Sequence, residues 1–106
     1  MGFVFRLVPP RSDFASTMSE AERATMIEHV GYWTNQMALG HVVAFGPVDA
    51  PAGPGGIGII LAANETEAKA LCDADPAVRS DHGLRSDISP MARLVTPTGL
   101  YEAASA

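Results

Sequence analysis

The chain has a single cysteine, Cys72, so no internal disulfide can staple the fold, and a reducing, cytoplasmic setting is expected. Basic residues are also scarce. Seven Lys and Arg stand against twelve Asp and Glu, giving a net charge of -5, and the seven are scattered singly. That balance argues against nucleic acid or an anionic membrane surface as a partner. No apolar run approaches the ~20 residues of a membrane span. The apolar start, residues 1–8, is interrupted by Arg6 and stopped by Pro9-Pro10, which is too short and too little basic at its front for a signal peptide. What is present is a 106-residue chain with 47% hydrophobic and 18% charged residues. Those totals suit one globular domain with one modest core.

The clearest local signal lies between Ser19 and Gly40. Ser19 with Glu22 three residues on forms a capping box, Met18 precedes it as a hydrophobic staple would, and Gly40 stands where a C-terminal cap belongs. Between them Met26, Val30, Trp33 and Met37 recur at helical spacing as one apolar stripe. His29 falls on the rim of that stripe, one turn before Trp33, while Glu28 and Asn35 face water.

The other elements follow in order. Residues 3–8 read as a strand with Phe3, Phe5 and Leu7 on one face and Val4, Arg6 and Val8 on the other. Residues 11–18 read as a loop anchored by Phe14 and Met18. Residues 41–48 are a second strand, ended or bent by Gly46-Pro47. Residues 49–56 are a Pro/Gly-rich hairpin connection. A phosphate-loop reading fails there, because no Gly-Lys-Ser/Thr ending and no nearby lysine exist, and a strand follows. Residues 57–62 form a third strand. Asn64 caps a second helix whose inner side is Ala68, Leu71 and Cys72 and which Pro76 ends near Asp75. Residues 77–83 add one turn, residues 87–95 read as a last strand made an edge by Pro90, and residues 96–106 are a flexible C-terminal tail.

Strand, helix, strand, strand, helix, strand is the split βαβ order of an α+β, ferredoxin-like βαββαβ domain spanning residues 1–106. Its two helices cover one face of a four-stranded antiparallel sheet. The middle strands are apolar on both faces. Leaving a residue such as Ile60 or Phe45 in water would cost roughly 1.5–3 kcal/mol. A homodimer, sheet against sheet, is the simplest cover.

Three motifs together, Glu28-His29-Val30-Gly31-Tyr32-Trp33, Gly40-His41-Val42-Val43-Ala44-Phe45-Gly46-Pro47 and Ala74-Asp75-Pro76-Ala77-Val78, resemble the YCII-related family. The resemblance covers residues 3–95. It implies a dimeric α+β barrel and an active site built on the first-helix histidine and the Asp-Pro aspartate, here His29 and Asp75. One branch of the family resembles a dehydrochlorinase of chlorinated hydroxyquinol degradation. The segment from Pro9 to Met18 is an insertion beside that pattern and is placed to reshape the pocket mouth.

A His-Asp pair suits proton transfer: the carboxylate fixes the imidazole tautomer and the other ring nitrogen moves the proton. Arg6 reads either as an anion clamp or as an arginine at a sheet margin. Trp33, Gly46 and Pro47 read either as substrate-binding walls or as packing and punctuation. Ser80-Asp81-His82 are sequence neighbours, which a triad does not require. His29, His41 and His82 lack metal-ligand spacing, and no nucleotide fingerprint exists, so neither metal nor cofactor is expected. Two functions fit. One is a cofactor-free enzyme catalysing elimination, isomerisation or dehydrochlorination on a small molecule. The other is a non-catalytic metabolite-binding or accessory dimer.

Overall fold

The computed structural model describes residues 1–49 and 54–103. Its elements are β1 (Gly2–Val8), α1 (Phe14–Thr17), α2 (Glu20–Ala38), β2 (Val42–Val48), β3 (Gly55–Leu61), α3 (Glu65–Asp73), α4 (Pro76–Arg79), β4 (Arg85–Pro90), β5 (Arg93–Thr96) and β6 (Gly99–Glu102). The first four strands form an antiparallel sheet in the order β2-β3-β1-β4, the split βαβ arrangement of a mixed α+β domain. Pro47 and Pro90 sit on β2 and β4, the two edges, where a missing N–H costs the ladder nothing. The hairpin reading of residues 49–56 falls in part on residues 50–53, outside the described residues.

The long helix starts as its capping box dictates. Ser19 accepts from the Glu22 N–H, and the Glu22 carboxylate accepts from the Ser19 N–H. Gly40 follows the helix at a φ of 85°, a left-handed conformation that glycine adopts without penalty. The face this helix buries is set by Trp33 and His29, with Met26 and Tyr32 partly buried. Val30 and Met37, expected on the buried stripe, are exposed. The stripe rotates about one position, because the aromatic ring and the imidazole fill the space over the sheet.

Alternation along β1 divides the sheet cleanly. Phe3, Phe5 and Leu7 join Trp33, Val42, Ile60, Ala68, Cys72 and Ala77 in one core under the helices. Ile60 is wholly buried there and Phe45 packs against the same core, so neither belongs to the second face. That face instead carries Val4, Val8, Ala44, Val48, Ile57, Ile59 and Leu61, partly or fully exposed in this chain.

The C-terminal region departs most from expectation. The strand expected over residues 87–95 is split: β4 ends at Pro90, and Leu94-Val95 belong to β5. The expected tail, whose residues 104–106 lie outside the described residues, supplies β6, which pairs with β5 as a separate hairpin. Its Leu94 is buried against Gly2, where an added Cβ would come within 2.7 Å of the leucine side chain. Gly2 therefore lets the hairpin cover one end of the second sheet face.

The segment before α2 is also more ordered than a plain loop. It includes the turn α1, buries Phe14, and is fastened by Arg11. The guanidinium donates to both Glu22 oxygens, at 2.9 and 2.7 Å, and to Thr17 Oγ1 and the Thr17 carbonyl at 2.9 and 2.8 Å. It also lies 5.1 Å from the centre of the Phe14 ring. The Arg11 hydrogen bonds, then the Ser19 N–H, hold the Glu22 carboxyl down at about 2. A carboxyl depressed from the ordinary 4.5 to about 2 contributes stability that is present above the ordinary value and lost as pH falls through the depressed one. Glu22→Gln should therefore melt below the native protein at neutral pH, with the gap closing as the pH is lowered toward 2 in paired thermal unfolding scans. A gap that stays constant over that range would contradict the clamp.

Candidate functional site

Two local rules bring distant residues together. In α2, His29 and Trp33 are four residues apart and so lie one above the other on the sheet-facing side. Asp75 precedes Pro76, which cannot extend α3 and instead opens α4 at its first position, so Asp75 becomes the N-cap. Packing of α2 against α4 then places the carboxylate beneath the imidazole.

Asp75 is completely buried, with 0% exposure, and four contacts account for its oxygens. His29 Nδ1 lies 2.9 Å from Oδ1 and 2.8 Å from Oδ2. Trp33 Nε1–H donates to Oδ2 at 2.9 Å, and the Ala77 N–H donates to Oδ1 at 2.9 Å. The tryptophan and backbone groups can only donate, so the carboxylate accepts on both oxygens. The hydrogen-bond network assigns the remaining donor role to His29 Nδ1–H. Nε2 is then the nitrogen free to act on a ligand. Charge-assisted bonds of this kind are worth about 1.5–3 kcal/mol each and offset the desolvation of the carboxylate.

Aromatic packing fixes the donors in turn. Trp33 lies 5.0 Å from Phe5, tilted by 41°, and 5.0 Å from Tyr32, edge-on at 83°. Tyr32 donates its hydroxyl to the Leu71 carbonyl at 2.6 Å, locking α2 to α3. Burial, followed by the Asp75 charge, raises the Tyr32 hydroxyl above its usual value. Burial also pushes the Cys72 thiol up to about 12, so it is a packed core group rather than a nucleophile.

His29 opens onto a cavity of about 590 Å³, within the range of small-molecule sites. Trp33, Gly46 and Pro47 line it, as do Phe5, Leu7 and Phe45 from the sheet. The segment before α2 supplies another wall through Asp13, Phe14, Ala15 and Met18, none of them named as site residues from the sequence. Their signal was Phe14, a lone aromatic in a polar stretch. Arg6, the candidate anion clamp, is not brought to the cavity. It stands exposed on the opposite face of β1, a central strand rather than a margin. Ser80, Asp81 and His82 do not form a triad: Ser80 Oγ donates to the Ala77 carbonyl, and His82 Nε2 lies 3.1 Å from Thr25 Oγ1. Among the described residues no three His, Cys, Asp or Glu side chains gather as a metal site, and no helix is long and apolar enough to cross a membrane.

An α+β domain with an apolar cavity between sheet and helices, and a carboxylate-backed imidazole at its wall, is the class these features define. Residues 3–92 match the model of the YCII-related domain, and the chain belongs to that family. No curated protein matches the chain.

Replacing Asp75 by Asn keeps the volume but turns one acceptor into a donor facing Trp33 Nε1–H or His29 Nδ1–H. Each buried donor so orphaned costs about 1–3 kcal/mol, a loss that chemical denaturation will detect. An unchanged denaturation midpoint would show that the carboxylate does not hold these elements together.

Proposed function

We propose that this protein is a small-molecule enzyme that works by cofactor-free acid–base chemistry, with His29 as the proton-transferring group and Asp75 as its orienting partner. The observation that supports this most is the pairing of His29 Nδ1 with a carboxylate of 0% exposure while the same ring lines a cavity of about 590 Å³. Such a ring has a fixed tautomer, a free nitrogen and room for a substrate. A substrate with an acidic C–H or O–H lies against Trp33 with Gly46 and Pro47 at its flank. His29 Nε2 takes the proton, and the imidazolium is stabilised by Asp75. Loss of a leaving group then gives elimination or dehydrochlorination, and return of the proton at another carbon gives isomerisation.

The working unit on this reading is a homodimer, and the compartment is the cytoplasm. Val8 remains 36% exposed on the second sheet face, beside exposed Ala44 and partly exposed Val4 and Ile59, which supports a copy packing there. Light scattering at micromolar concentration is expected to give twice the chain mass, and a folded monomer would contradict the dimer.

One observation favours the alternative, a non-catalytic binding module. Asp75 is fully satisfied within the chain by His29, Trp33 and Ala77 and ties α2 to α4 whether or not chemistry occurs. A metabolite screen by ligand NMR, run on native protein and on His29→Gln, separates the two. The enzyme reading expects a compound converted by the native protein and slowed about 10²–10⁴-fold in the variant. Binding without conversion, equal in both proteins, would leave the module.

A further inference from the structure

The cavity is unusual in what its charges are. All seven Arg and Lys of the chain lie among the described residues, and none of them lines it. Arg6 is on the far side of the sheet. Arg11 is near the mouth, but its guanidinium is taken up by Glu22 and Thr17, with Asp13 a further 3.8 Å away. The lining does include two carboxylates, Asp13 from the segment before α2 and Asp49 beyond β2. Arg11, Glu22 and Asp13 together leave one net negative charge on that wall, and Asp49 adds another. The rest of the lining is largely apolar, apart from His29 and the serines Ser12 and Ser16.

We infer that this cavity selects its ligand by charge, taking uncharged, largely apolar molecules and rejecting anions, with Asp13 and Asp49 as the specificity-determining residues at its mouth. An anion entering here gives up its hydration to apolar walls and meets no cation in exchange. It also passes two exposed carboxylates, whose repulsion adds a smaller and salt-dependent part. A neutral acid avoids both penalties. If it then gives its proton to His29, the resulting anion and imidazolium form the one ion pair the cavity can supply, so the neutral form is both the species admitted and the species that reacts. The inference rests on the cavity being the binding site proposed above, but not on proton transfer at His29.

Two probes on the same anilinonaphthalene frame test it: N-phenylnaphthylamine, which is neutral, and anilinonaphthalene sulfonate, which adds one negatively charged group, with charge reversals at Asp13 and Asp49 separating its charge from its bulk. Trp33 is the only tryptophan and lines the cavity, so ring-current shifts of its indole NMR resonances, which need the aromatic probe within a few ångström, report binding there rather than on the open sheet face. Titrated at mildly alkaline pH, the neutral probe is expected to bind with shifted Trp33 indole resonances and the sulfonate at least about tenfold more weakly. Asp13→Lys with Asp49→Lys, both at exposed positions, should close most of that gap by strengthening the sulfonate while leaving the neutral probe within about twofold. Circular dichroism checks that the variant is folded, and each single reversal should act in the same direction. Equal affinity of both probes for the native protein, failure of the neutral probe to bind, or a gap untouched by the reversals would each overturn the inference. The same titration on His29→Gln should preserve the discrimination. Loss of turnover in that variant therefore bears on the proton-transfer reading alone.

Discussion

A carboxylate with no access to water has to be given its partners by the protein. Removing such a group from solvent costs several kcal/mol even after relaxation, so the Asp75 site exists only because three donors from different parts of the chain converge on it. His29 and Trp33 come from successive turns of α2, and Ala77 comes from the start of α4. Each contact constrains something else. The indole can donate to Asp75 only with its ring wedged between Phe5 and Tyr32, which sets how α2 lies on the sheet. The backbone donor requires the helical turn after Pro76. The imidazole, pinned by Nδ1, is left with its other nitrogen for the cavity. Structure and proposed chemistry draw on the same bonds, which is why a purely architectural role for the pair has to be tested rather than dismissed.

The sheet separates two tasks. Its helix-covered face holds the core and one wall of the cavity; the other carries aliphatic side chains and the exposed Arg6. The hairpin of β5 and β6 closes over one end of that second face through Leu94 and Gly2, and it begins at Arg93, where the family match has ended. At the opposite side of the molecule the segment from Pro9 to Met18 builds part of the cavity wall and is buttoned to α2 by Arg11 and Glu22. Asp13, one of the two carboxylates at the mouth, thus comes from a segment that lies within the matched residues but outside the three motifs that carry the resemblance.

Local chemistry made much of this legible in the sequence. The Ser19–Glu22 capping box, the left-handed Gly40 and the edge prolines each act within a few residues, and each works in the structure as its chemistry requires. Alternation in β1 assigned Arg6 and Phe5 to opposite faces, and the structure puts only Phe5 on the cavity, so the anion-clamp reading of Arg6 does not hold. His29 was visible as a rim residue of an amphipathic helix. Asp75 was not visible as its partner from the residues alone, because the two are separated by 46 positions and an aspartate before proline is an ordinary helix stop. Resemblance to the family supplied that pairing. Trp33 as a donor, rather than as packing, and the Ala77 N–H depend wholly on tertiary geometry. The β5–β6 hairpin was missed because Val95 and Leu100 are 71% and 55% exposed, so burial imprints little alternation on it. The shift of the α2 stripe away from Val30 and Met37 has a similar origin: polar His29 takes a position that periodicity gives to aliphatic residues.

The central claim is that Asp75 holds His29 as one tautomer, with the proton on Nδ1 and Nε2 open to the cavity. Long-range proton–nitrogen NMR of the imidazole, recorded where the ring is neutral, reads this directly. A protonated Nδ1 and a bare Nε2 in the native protein, giving way to a mixture of tautomers in Asp75→Ala, is the outcome the geometry demands. A native ring protonated on Nε2, or already averaged between its two forms, would contradict it.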